Sequence, residues 1–61
     1  MTPRQSAAAA LLARGMTNAQ IARALGIRLG TAKNHVAAVM AELGCARRAE
    51  AAHVLTRRMT T

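Results

Sequence analysis

Three of the four glycines, at positions 15, 26 and 44, follow apolar-periodic segments and divide the chain into four pieces of helical length. Glycine just past a periodic run suits the left-handed backbone position that ends a helix. Two of the pieces also signal their starts. Thr2-Pro3-Arg4-Gln5 and Thr17-Asn18-Ala19-Gln20 each set a threonine three residues before a glutamine, the spacing of a capping box, and Pro3 suits a first helical position. Nothing in the chain suggests strands, and no internal repeat or linker interrupts the pattern. The fold class is therefore read as all-α, a single domain over residues 1–61 with helices over about 3–14, 18–25, 29–43 and 47–57.

The third segment carries the clearest periodicity. Ala32, Val36, Val39, Met40 and Leu43 form one apolar stripe, and the opposite face carries Gly30, Asn34, Ala37 and Ala41. Lys33 stands on one shoulder of that outer face, Thr31 and His35 on the other. A helix exposing Thr, Lys and Asn among small residues can lie deep in a groove. Its start is less well specified, because Arg28 falls at the cap position and cannot accept from backbone N–H groups. Ala46, expected to cap the last helix, is as poor. A missing cap costs about 1 kcal/mol. The turn Leu25-Gly26-Ile27-Arg28 between two amphipathic helices is the arrangement of a helix-turn-helix, with Ile21, Leu25, Ile27 and Val36 closing the elbow.

Composition narrows the function. In 61 residues with no aromatic side chain, the core must come from Leu, Ile, Val and Met, and a stability of only a few kcal/mol is expected. Nine Lys and Arg against two Glu give a net charge of +7, which points to a polyanionic partner. The plain alternative is that excess arginine reflects base composition and solubility. The single Cys45 cannot form an internal disulfide and lacks neighbours for a zinc site. The longest apolar run, Ala7 to Ala13, is too short to span a bilayer and has no export-signal layout. A cytoplasmic protein with no membrane association is expected. There is no Ser/His/Asp constellation, and Glu42 and Glu50 have no metal or acid–base partners at ligand spacing. We therefore expect no enzyme activity, no metal and no cofactor.

Several segments go beyond generic spacing. Thr2-Pro3-Arg4, Leu11-Leu12-Ala13-Arg14-Gly15-Met16-Thr17-Asn18 and Ile21-Ala22-Arg23 are followed without a gap by Leu25-Gly26-Ile27, Gly30-Thr31-Ala32-Lys33-Asn34-His35 and Leu43-Gly44. Arg48-x-Glu50-Ala51 closes the series. Together they resemble the LuxR-type (GerE-like) DNA-binding domain over essentially the whole chain. The resemblance implies a four-helix domain whose third helix enters the major groove and whose fourth forms a homodimer contact, here through Ala51, Val54, Leu55 and Arg58. It also implies a role in bacterial transcription regulation. Departures from the family pattern bear on stability and specificity. Gln5 and Ala7 stand where glutamates are usual, and Ala8 and Ala9 where larger aliphatics are usual. Arg28 and Ala46 replace capping serines, Glu42 a lysine, and Ala37 a polar or basic groove residue. The family's domain commonly ends a longer regulator, so the sequence is read as a stand-alone small protein or a fragment.

The expected partners are double-stranded DNA and a second copy of the chain, with RNA polymerase or full-length related regulators as further ones. Lys33 is assigned a phosphate or guanine contact, Asn34 an adenine contact and Thr31 a phosphate contact, while Ala37 continues the groove-facing surface. His35, on the edge between core and surface, is expected to be packed and hydrogen-bonded, with phosphate contact as the lesser role. Thr17 and Asn18 open the helix that crosses the DNA backbone, Thr17 first as a cap. Arg23, Arg28, Arg14 and Arg4 are candidate phosphate contacts, which position without reading sequence. Cys45 is read as a small core residue and His53 as solvent-facing. Two rival readings are a protein-interaction module pairing through residues 47–58 with related regulators, and a cationic membrane-active peptide. The capping boxes and glycine stops, which specify a compact fold, argue against the peptide.

Overall fold

The structure, a computed structural model describing residues 1–59, consists of α1 (Pro3–Ala13), α2 (Asn18–Leu25), α3 (Leu29–Leu43) and α4 (Arg48–Met59). Thr60 and Thr61, in the expected fading end of the last helix, lie outside the described residues. Both capping boxes form. Thr2 Oγ1 accepts from Gln5 N at 3.1 Å and Gln5 Oε1 from Thr2 N at 3.2 Å; the Thr17–Gln20 pair repeats this at 3.2 and 2.8 Å.

The glycine stops work as a set. At Gly26, φ is +66°, a left-handed conformation in which a Cβ would be strained, and Ile27 N reaches back to Ala22 O at 3.0 Å. The same return occurs from Met16 N to Leu11 O at 3.2 Å and from Cys45 N to Met40 O at 3.0 Å. Each glycine is thus followed by a residue turned back against the domain, and Met16, Ile27 and Cys45 all pack half-buried on the core. This explains Cys45, whose thiol also points to Leu43 O at 3.8 Å.

The core is built from Leu, Ile and Val as expected, with much alanine among them. Of the ten buried residues among those described, five are alanines: Ala8, Ala9, Ala22, Ala32 and Ala51. Leu12, Ile21 and Val39 are the largest side chains fully enclosed, and Met16 and Met40 only border the cluster. Small side chains let helix backbones approach closely, so α1 packs chiefly on α3 and α4, while α2 packs on α3. Ala8 and Ala9 are buried in this core, at 0% and 3% exposure. The stripe expected on α3 is confirmed, with Ala32, Val36 and Val39 buried and Met40 and Leu43 half-buried.

The fourth helix starts one residue later than expected and runs two residues further. Ala51 N donates to Arg47 O at 3.1 Å, which makes Arg47, not Ala46, the cap residue. In its first turn Glu50 supplies the negative charge that a helix start favours. α4 also ties down the end of α1: Thr56 Oγ1 lies 3.4 Å from Ala13 O and 2.8 Å from Ala52 O.

Candidate nucleic-acid interface

α2, the Gly26 turn and the first half of α3 carry most of the expected site residues, with Arg23, Arg28, Thr31, Lys33, Asn34 and Ala37 exposed. The entire chain up to Ala41 contains no acidic residue, so Arg23, Arg28 and Lys33 sit on a stretch without counter-charge. Lys33 and Asn34 are both exposed, and neither has a hydrogen-bond or ion-pair partner among the described residues. Gly30, Thr31, Ala37 and Ala41 are exposed beside them, and a Cβ at Gly30 would meet nothing within 4 Å. The outer face of α3 is therefore low relief, with Asn34 and Lys33 as its projecting polar groups.

The start of α3 contrasts with the starts of α1 and α2. Arg28 has the extended backbone of a cap residue, φ −73° and ψ 153°, but makes no side-chain cap hydrogen bond. Its carbonyl accepts the first helical bond, from Ala32 N at 3.0 Å. The N–H groups of exposed Leu29, Gly30 and Thr31 are left without a side-chain acceptor, at the positive end of the helix dipole and next to a guanidinium. Such an end favours an anion. Leu29 is 46% exposed.

Other expected site residues fall differently. Thr17 is a cap, as its capping box requires. Asn18 is half-buried, and its Oδ1 accepts from Arg48 Nη1 at 2.6 Å, so that oxygen already has a protein partner. Arg48 also donates through Nη2 to Met16 O. This tie was missed in the sequence, since thirty positions separate its ends and only tertiary packing joins them. Arg4 is exposed and donates through Nη1 to Leu25 O, the last residue of α2, at 3.2 Å. Arg14 and Arg23 are exposed with no carboxylate partner among the described residues. His35 is half-buried as expected, but no hydrogen bond reaches its ring among the described residues. It packs without the partner anticipated for it.

The dimer surface needs the largest correction. Ala51 is 0% and Leu55 5% exposed, both enclosed by this chain's own core. They face inward because α4 packs its small side against α1. Of the four residues expected at a dimer contact, half-buried Val54 and exposed Arg58 are left on the accessible side. His53 is exposed, as expected.

Against the family of bacterial regulatory proteins described as the luxR family (GerE), the chain matches over residues 1–55. The chain belongs to the LuxR family. No curated protein and no solved structure matches it. LuxR-family membership and the four-helix fold, with no strand among the described residues, make this a DNA-binding regulatory domain. Among the described residues, no helix is long and apolar enough to cross a membrane.

Proposed function

We propose that this LuxR-family domain reads duplex DNA in the cytoplasm with α3 in the major groove and the start of α2 over the phosphate backbone. The observation that carries the proposal is the outer face of α3, where Lys33 and Asn34 are exposed without a partner among the described residues, in a sequence stretch, residues 1–41, that holds no acidic residue. Lys33 can donate to a phosphate or to guanine O6/N7, and Asn34 can pair with adenine N6/N7. The uncapped start of α3, with Thr31 in its first turn and Arg28 beside it, takes a backbone phosphate. Ala37 lets the groove wall come close. Two copies pair through the accessible side of α4 around Val54, setting two α3 helices about 34–36 Å apart on a two-fold site.

The test is fluorescence anisotropy against duplex DNA over a salt series, followed by selection of a preferred site. Affinity should fall linearly on a log–log plot of binding constant against salt. On the selected site, Lys33→Ala should weaken binding by about 1–3 kcal/mol, with circular dichroism unchanged. A Lys33→Ala protein binding that site as tightly as wild type would remove Lys33 from the interface. A wild-type protein that is helical yet fails to bind at low salt would defeat the proposal as a whole.

A further inference from the structure

Arg48 is the first residue of α4, and its side chain reaches the α1–α2 turn. Its guanidinium reaches Asn18 Oδ1 at 2.6 Å and also donates to Met16 O, so it joins α4 to the α1–α2 turn and to the first residue of α2. The chemistry of the pair determines the orientation of the amide. Arginine has donors only, so the atom facing it must be the amide oxygen. The two N–H donors of Asn18 Nδ2 then point the other way, and no group among the described residues accepts from them. Free asparagine can turn either its oxygen or its nitrogen outward, and only the nitrogen suits a phosphate.

We infer that Arg48 is a positioning residue for DNA binding: it holds Asn18 with its amide N–H groups outward, ready to donate to a backbone phosphate at the start of α2. The inference rests on the DNA-binding reading given above. Arg48 touches no nucleic acid itself. It acts through Asn18 and through Met16, whose carbonyl fixes the turn that leads into Thr17 and its capping box. A second tie from α4 to the same corner, Thr56 to Ala13, keeps the strap in place. The contact on α2 therefore depends on a helix that lies outside the helix-turn-helix.

The test is a double-mutant cycle in the full chain, with the dissociation constant on one duplex and the thermal melting curve measured for every variant. Arg48→Met should weaken binding roughly tenfold in the wild-type background, and about twofold or less once Asn18→Ala has removed the amide. A purely structural or purely electrostatic role for Arg48 would weaken binding by the same factor in both backgrounds, and that result overturns the inference. If Arg48→Met does not fold, Asn18→Asp decides the matter. That variant keeps an oxygen for Arg48 but has no donor. It should melt no lower than wild type and bind DNA at least about fivefold more weakly than Ala24→Glu, an exposed change of equal charge on the same helix. Equal binding by Asn18→Asp and Ala24→Glu overturns the inference. A wild-type protein that does not bind DNA would instead overturn the reading on which it rests.

Discussion

Arg28 occupies the position where a helix start gains most from serine, threonine or aspartate, and it makes no cap hydrogen bond there. Its positive charge also lies at the wrong end of the α3 dipole for stability. Both costs become gains when a phosphate lies against the same N–H groups, so Arg28→Ser separates stability from binding. The substitution should stabilise the free domain by about 1 kcal/mol, raising its melting midpoint by roughly 4–8 °C. It should weaken DNA binding and lower the log–log salt slope by about one. Melting and anisotropy on one preparation check both, and unchanged affinity would place Arg28 outside the interface. Cys45 behaves in the opposite sense, as a group the domain quiets. Burial, then the hydrogen bond and negative charge of Glu50, push its thiol up, with Arg58 opposing. The thiolate is the reactive form, so alkylation of the folded protein should be slower than that of free cysteine at mildly alkaline pH. The rate should climb as pH rises, and Glu50→Gln should raise it. Because the folded state holds this proton longer than the unfolded chain, Cys45's contribution to stability is present below the unfolded pKa of about 8.5 and declines above it.

Among the helices, α1 carries the core, placing Ala8, Ala9 and Leu12 against α3 and α4 together. Leu12→Ala should cost about 2–5 kcal/mol. In a domain of this size that approaches the whole stability, so the variant should lose most of its helical circular dichroism at room temperature. Ala9→Leu should also destabilise, by about 1–3 kcal/mol, because Ala9 is buried in the packed core and added methylenes overpack such a site. A neutral Ala9→Leu would mean that α1 does not pack this closely. These helices were legible in the sequence to the degree that their ends carry chemistry. Thr2, Thr17 and the glycines at 15, 26 and 44 fix boundaries by local hydrogen bonds and backbone preference, and those boundaries held within a residue. The start of α4 shifted because neither Ala46 nor Arg47 offers a side-chain acceptor to mark it. Alanine misled in a different way. It is equally at home on a surface and at a helix crossing, so nothing local marks Ala51 as part of this chain's own core and not of a partner contact. The outer face of α3 was readable because one helix contains it, whereas Arg48 with Asn18 and Met16 spans three elements and has no local signature.

At the scale of the whole molecule, the question is how much of its affinity for DNA comes from the fold and how much from charge. The unfolded chain carries the same +7 as the folded one and will also associate with a polyanion. Only the folded chain holds Arg28, Lys33 and Asn34 at fixed separations, with α2 and α3 set by the Gly26 turn. Ligand binding raises melting temperature only through its preference for the folded state, and binding to the unfolded chain subtracts from the effect. Thermal melting with and without duplex DNA therefore measures the share due to geometry. At a free duplex concentration a hundredfold above the dissociation constant, the shift should approach 2.7 kcal/mol, or roughly 10–20 °C for a domain of this size. Raising the salt should shrink the shift as phosphate contacts are screened out. Lys33→Ala should lower it at constant net charge if a compensating exposed lysine is added at Ala46, away from α3's outer face. An unchanged melting temperature at saturating DNA would mean that charge alone binds, and that the surface built by α2 and α3 adds nothing to it.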